Sequence, residues 1–402
     1  MSSYKPLKIL QNVLISSLLI CNLLSCGTIP SSQDASYKRV TQQKVLDVLF
    51  NLDKENSETQ PAILKFSDLS QYTFNNIKLN YADLSFNQFN STTFRSAQLN
   101  NVIFHASQMK NTDFSGAVLT NIDFSGVDLS DSNFTSATLI NVNLNGARLN
   151  NVNFNNTIVH NSKLINSSFK NATIRDTKFL NCKINKSNFN YSTFISVNIR
   201  LSNLSESSFE HGNLRYVQFI KTNLEKATLN YSTLNFIRFI ETRLVNLKAD
   251  NLNIENADFR SNKAIGMQIL NSTIRSSQFD HSDLRESIFD ETEFYNVSMK
   301  NVNLSLSKLY YVKMDNIDLS GSELSRTQFN RASLAGGNLF KTKNKWTSFL
   351  MTNLDSANLD QADIHKADFR GANLNNVDFK TTKNFNYAFG FNKAENYQAP
   401  TK

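Results

Sequence analysis

From Leu64 to Phe379 every fifth position is a centre that is nearly always Leu, Phe or Ile, with one polar exception, and the phase never slips. Two residues before each centre sits a residue that is usually small or β-branched, as in Ala82-Asp83-Leu84, Ala117-Val118-Leu119 and Ala357-Asn358-Leu359. The other three positions of each five are mostly polar. A period of five matches neither the 3.6 of a helix nor the 2 of a strand, so no regular amphipathic element produces it. A chain that bends after every five residues does produce it, with the centre and the residue two before it pointing inward. Such repetition marks a solenoid, in which one repeat buries little until neighbours stack on it.

The spacing of Phe gives the number of fives per turn. Phe74, Phe94, Phe114, Phe134 and Phe154 lie twenty residues apart, as do Phe219, Phe239, Phe259 and Phe279. Like residues at that interval stack their rings along one inner wall, so the coil has four sides. Phe169, Phe189 and Phe209 climb a third side, and Leu204, Leu224 and Leu244 the fourth. The repeat region then holds about sixteen coils.

The pattern seen in Ala82-Asp83-Leu84-Ser85-Phe86 and Ala372-Asn373-Leu374-Asn375-Asn376 resembles the pentapeptide repeat family. That resemblance implies an all-β chain folded as a right-handed quadrilateral β-helix, and it implies no single activity. A solenoid grows by adding coils, so 402 residues are compatible with one elongated domain. Asn is abundant beside the centres, where it tolerates turn conformations and bonds local backbone.

The ends differ from the repeats. Lys5 and Lys8 precede an apolar run from Ile9 to Leu24 that closes in Leu23-Leu24-Ser25-Cys26-Gly27. This resembles a bacterial lipoprotein signal peptide, which implies cleavage after residue 25 and lipid attachment at Cys26. Several acyl chains anchor stably where one is marginal. Gly27, rather than Asp, after that Cys leaves outer-membrane sorting open. Cys21 is then discarded and Cys182 stands alone at a small inward position, so no disulfide framework exists. Ser31 to Ser36 reads as a tether, and Tyr37 to Leu52, with Val45, Val48, Leu49 and Leu52 at helical spacing, as a short helix capping the first coil. After Phe379 the period is lost but Phe385, Tyr387, Phe389 and Phe391 remain, and this tail is expected to fold back as the opposite cap. The expected organisation is signal peptide 1–25, tether and helix 26–62, β-helix 63–380 and tail 381–402.

No catalytic or metal constellation is legible. His105, His160, His211, His281 and His365 all lie outside the inward positions and more than a coil apart. There is no Gly-rich phosphate loop, nucleophile elbow or metal-spaced Cys set. No cofactor, metal or catalytic residue is therefore expected. Lys343 stacks beside Asp363, which predicts a structural ion pair.

Charge gives the remaining colour. The chain carries a net +8, which loss of Lys5 and Lys8 lowers to +6. Lys163, Lys170, Arg175, Lys178, Lys183 and Lys186 fall within little more than one turn, and Lys163 and Lys183 stack on one side with Arg243 and Lys263 further along. Such a surface suits an acidic protein, acidic glycans or anionic headgroups. The family includes quinolone-resistance proteins that resemble B-form DNA and bind a topoisomerase. A duplex mimic needs an anionic surface, which a basic chain with an export signal lacks.

Three centres depart from the pattern. Ala249 and Ala264 are small, while Leu247, Leu252 and Met267 enlarge the neighbouring inward positions, which reads as exchange of volume in the core. Asn344 is the polar exception, inside Lys341-Thr342-Lys343-Asn344-Lys345-Trp346. A buried amide needs partners, so this coil either bulges and presents Trp346 outward among Lys341, Lys343 and Lys345 as a candidate contact, or, the reading favoured from sequence, stays an imperfect coil with Trp346 tucked in. The reading as a whole is a non-enzymatic, lipid-anchored protein of the bacterial cell envelope, monomeric or dimerised end to end. It does not bind nucleic acid, and its rod presents an interaction surface to a protein partner. A purely structural spacer is the alternative.

Overall fold

The computed structural model describes residues 37–50 and 61–393; Cys21, Cys26, the tether and Leu52 lie outside the described residues. Arg39–Lys402 form one compact unit. Its backbone repeats every twenty residues as a parallel, four-sided β-solenoid. One column of paired residues climbs from Ile63 through Asp83, Ile103 and Asp123 to Asp363 and Lys383, always at a spacing of twenty, in sixteen steps. The four walls are named here by their first centres: Leu64, Leu69, Phe74 and Leu79.

The inward positions form one continuous core. Both the centres and the residues two before them are buried almost without exception, as with Ala117 and Leu119 or Thr157 and Val159. Stacked Phe rings bind successive coils: Phe94, Phe114, Phe134 and Phe154 lie 5.0–5.1 Å apart on the Phe74 wall. Phe239, Phe259 and Phe279 stack at 4.7 and 4.5 Å on the Leu79 wall, and Phe169, Phe189 and Phe209 at 4.7 and 5.1 Å on the Leu69 wall. A further ladder, Phe329, Phe349 and Phe369, rises on the same Leu69 wall at 5.5 and 5.2 Å. Each such contact adds about 0.5–1.5 kcal/mol beyond burial alone. Leu247, Ala249, Leu252, Ala264 and Met267 are all buried, so small centres and large neighbours share the core volume.

Inward Ser and Thr do more than fill space. The Thr92 hydroxyl donates to the Leu69 carbonyl one coil below at 2.9 Å, and Ser192 to that of Phe169 at 2.6 Å. Cys182 occupies the same kind of place, with its Sγ 3.4 Å from the Val159 carbonyl oxygen. Burial pushes its thiol up to about 11.

The corners explain the abundance of Asn. The residue two after a centre is left-handed at nearly every corner, for example Asn121 at φ 53°, Asn141 at 55° and Asn181 at 54°. Asn tolerates this region better than other non-Gly residues. Its amide also links coils: Asn141 Nδ2 donates to Asn121 Oδ1 at 3.1 Å, and Asn181 Nδ2 to Asn161 Oδ1 at 2.7 Å.

Helix α1 spans Gln42–Phe50 among the described residues, and it starts later than the expected Tyr37. The Thr41 hydroxyl accepts the Lys44 N–H at 3.3 Å and so caps the helix there, which ends it on the N-terminal side. Val45 and Leu49 are buried and line a gap with Leu69, Phe74 and Leu79 of the first coil. Gln42 Nε2 donates to the Thr73 carbonyl at 2.6 Å, and Arg39 pairs with Asp68 at 3.3 Å. At the other end the spacing slips by one, from Asp363 opposite Lys383 to Asp368 opposite Phe389. There Phe391 stacks on Phe369 at 5.2 Å and on Phe385 at 4.7 Å, and Phe379 meets both tail rings edge-on or tilted. This aromatic cluster covers the last coil, while Tyr387 and Phe389 stay exposed.

Candidate interaction surface

With the inward positions committed to packing, chemistry is left to the two outward residues of each wall and to the corners. The six clustered cations do not share a wall. Lys163 and Lys183 are paired neighbours on the Leu64 wall. Lys178 lies in a strand on the Leu79 wall and Arg175 ends a strand on the Phe74 wall. Lys170 follows the Leu69-wall centre Phe169, and Lys186 sits at a left-handed corner. Lys186 approaches Glu206 at 3.8 Å. A run that is dense in sequence is thus spread around the coil.

The Asn344 coil keeps its register and does not bulge, yet Trp346 is not tucked in either. Lys343 pairs with Asp363 and Ser348 with Asp368 at the normal spacing, and the Asn344 N–H reaches the Asp363 carbonyl at 2.7 Å. The buried Asn344 Nδ2 donates to Thr342 Oγ1 at 2.8 Å, which supplies the partner that a bulge would otherwise have sought in water. Its Oδ1 has none. Lys343 forms its ion pair with Glu323, at 3.5 Å, rather than with Asp363. Asp363 instead accepts the His365 N–H and an Asn384 amide hydrogen. Trp346 is about half exposed, 48%, and the cation over its ring is Lys366 at 4.4 Å, one coil further on. Lys341 lies over Phe340 at 4.8 Å, and Lys345 is exposed.

A different surface stands out on the Leu79 wall. Nine successive strands, from Lys78–Asp83 to Arg238–Ile240, pair in parallel without a gap in a single ten-stranded sheet. Their outward side chains on this wall form two columns, one running from Lys78 to Arg238 and the other from Asn80 to Ile240. Neither contains an Asp or Glu over this span. Val118, Ile158 and Leu180 are exposed there, and Ile140, Ile220 and Ile240 are half-buried. Lys178, Arg200 and Arg238 supply positive charge. At the spacing of adjacent strands the face is on the order of 40 Å long. Over the same coils the other walls all carry acids, with Asp83 and Asp123, Asp128, and Asp113. Burial pushes the Asp128 carboxyl up, but hydrogen bonds from Ser130 and the charges of Lys110 and Arg148 outweigh it and hold the group below its usual value. The signal was present in the sequence: reading every twentieth residue exposes this face, whereas reading neighbours conceals it.

Beyond Ile240 the wall changes. Its strands give way to isolated bridges, and acids enter with Asp258 and Asp280. Tyr216 and Phe236 stack at 4.9 Å on the adjoining corner, beside a surface cleft of roughly 370 Å³. Among the described residues no group of three or more His, Cys, Asp or Glu side chains is placed to hold a metal ion.

Stacked parallel strands, one inward core and four walls of five residues define a repeat solenoid. Models of the pentapeptide repeat region and of pentapeptide repeats match residues 132–209 and residues 107–146, 202–235 and 347–380. Over these segments the chain carries pentapeptide repeats. No curated protein matches it. Among solved structures it is similar to QnrB1, a plasmid-mediated fluoroquinolone resistance protein, at 17% identity over 62% of this chain and 90% of that one, with a TM-score of 0.22. HetL, a pentapeptide repeat protein involved in heterocyst differentiation regulation in the cyanobacterium Nostoc, aligns at 16% identity over 86% and 94%, with a TM-score of 0.14. A pentapeptide repeat protein of the Arabidopsis thaliana thylakoid lumen aligns at 27% identity over 24% and 64%, with a TM-score of 0.15.

Proposed function

We propose that this chain is a non-enzymatic, lipid-anchored envelope protein whose solenoid offers the acid-free Leu79 wall to an acidic protein partner. The observation that carries this reading is the nine-coil span from Lys78 to Ile240, where two outward columns hold cations and aliphatic residues and no carboxylate. A flat face of that kind combines desolvation of Val118, Ile158 and Leu180 with charge complementarity, which steers association and fixes register. Mimicry of a DNA duplex is disfavoured, because it would need the opposite sign. The anchor rests on the Leu23-Leu24-Ser25-Cys26 pattern.

The test is crosslinking and pull-down from bacterial envelopes with the intact protein and with a Lys178→Glu, Arg200→Glu double variant. Loss of the captured partner supports the reading, while an unchanged partner profile removes it and leaves a spacer role. Cys26→Ser separates the anchor from the surface: the lipid-anchored protein should leave the membrane fraction with that change, and retention there would refute lipidation.

A further inference from the structure

We propose that the cleft at the C-terminal end of the acid-free wall binds one carboxylated ring of a carbohydrate chain. The aromatic corner ladder of Tyr216 and Phe236 stops abruptly. On the next two coils the same corner carries Asn256 and Ser276, which are too short to continue the stack. One face of Phe236 therefore opens into the recess, and the ring is 42% exposed. Behind the corner, Gln218, Arg238, Asp258 and Gln278 stand in register on successive coils. The cleft of roughly 370 Å³ falls in the size range of small-molecule sites.

The polar groups are uncommitted. Among the described residues the side chains of Gln218, Arg238, Asn256, Ser276 and Gln278 make no hydrogen bond, whereas nearby Asn230 Oδ1 accepts the Asp250 N–H at 2.9 Å and Asn262 Nδ2 donates to the Phe239 carbonyl at 2.7 Å. Asp258 is neutralised by Arg260, whose Nε and Nη2 donate to it at 2.9 and 2.8 Å. The charge of Arg238 also helps to lower the Asp258 carboxyl, but with Arg260 hydrogen-bonded to that group the two guanidiniums outnumber the one carboxylate, and Arg238 is the cation with no hydrogen-bonded partner among the described residues.

A flat apolar ring face, planar amides, a hydroxyl and one free cation together suit a sugar. The C–H face of a pyranose stacks on Phe236, its hydroxyls meet the amides and Ser276, and a ring carboxylate meets Arg238 bidentately. The cleft lies on the outside of the rod, so a longer glycan can run past it while one ring is held. This site shares Gln218 and Arg238 with the face described above but includes neither Lys178 nor Arg200, so the Lys178→Glu, Arg200→Glu variant tests the partner reading without altering the cleft.

The experiment is calorimetric titration of the intact purified protein with hexagalacturonate, maltohexaose and adenosine monophosphate. Phe236→Asn and Arg238→Gln place at these positions the residues that neighbouring coils already carry there, Asn256 and Gln218 with Gln278, so both variants are compatible with the fold. Hexagalacturonate should saturate the wild type, bind Phe236→Asn at least tenfold more weakly, and lose its advantage over maltohexaose in Arg238→Gln. Tyr231→Asn, on another corner ladder, should bind like the wild type. No saturable binding of either saccharide, wild-type affinity in Phe236→Asn, or preference for the nucleotide would overturn the site. Equal wild-type affinity for the two hexasaccharides would overturn the carboxylate.

Discussion

Asn344→Leu isolates the energetics of a single polar centre. Asn344 is fully buried; its Nδ2 bonds Thr342 Oγ1 at 2.8 Å and its Oδ1 finds no donor. A buried acceptor left unpaired costs about 1–3 kcal/mol, and the one bond that would be lost contributes about 0.5–1.5 kcal/mol net. Full burial of a leucine contributes about 1.5–3 kcal/mol. Fit is guaranteed by an internal template: Leu324, Phe329, Leu334 and Leu339 one coil earlier match Asn344, Phe349, Leu354 and Leu359 in every centre but this one. Overpacking strain is thus not introduced, and the net gain should be about 2–4 kcal/mol. Neighbouring repeats of a solenoid couple without all-or-none unfolding of the whole array, so a local readout is needed. The amides to follow by native-state hydrogen exchange are those of Leu324, bonded to the Lys343 carbonyl, and Asn344 itself, bonded to that of Asp363. Where they exchange by local opening, the substitution should slow them roughly 30-fold or more. Unchanged or faster exchange would show that the amide is satisfied in place or that the cavity is shaped for it, and the argument would fail.

Three further outcomes follow from the packing. Phe114→Ala removes a fully buried ring held between Phe94 and Phe134, and native-state hydrogen exchange of the Phe94 and Phe114 amides, bonded to the Asp113 and Asn133 carbonyls, should show a local loss of about 3–5 kcal/mol; a loss under about 1 kcal/mol contradicts the ladder. Cys182, buried with its thiol pushed up to about 11, should resist maleimide in the native protein near pH 8 and label on denaturation, as peptide mass spectrometry would report; rapid native labelling refutes its burial. Burial raises the Asp250 carboxyl above its usual value, and its Oδ1 has no partner. Ionisation therefore penalises the folded state: the penalty is absent below the unfolded value of about 3.9 and complete above the raised folded one. Asp250→Asn should stabilise the protein at pH 7 and leave it unchanged near pH 3, and a pH-independent difference in urea midpoints would exclude that origin.

The five-residue register and the Phe intervals made the four walls and their core legible without coordinates, because each inward side chain is chosen by volume alone. What sequence could not supply was local. Thr41 caps α1 and so removes Tyr37 to Val40 from it, a competition between cap and helix that periodicity does not record. The one-residue slip between Asp368 and Phe389 depends on how Phe391 seats on Phe369. At Asn344 the amide found Thr342 in its own coil, so the backbone had no cause to bulge.

The spread of the clustered cations over several walls bears on how function is read in this architecture. Linear neighbours such as Lys170, Arg175 and Lys178 stand on three different walls, so a partner docking on one wall meets only one of them. Residues a multiple of twenty apart, or displaced two from it, share a face. On that rule Lys178 and Arg200 are one coil apart and Arg238 is three coils from Lys178, which puts them within about 5 and 14 Å along the rod. The first distance lies within the screening length of roughly 8–10 Å in physiological salt and the second beyond it, so Lys178 and Arg200 act together on a docked partner while Arg238 extends the cationic face further along the rod, and the absence of carboxylates in these columns leaves their local field uncancelled. The effective charge of a solenoid is therefore a property of each column, and the net +8 of the chain is a poor guide to any of its faces.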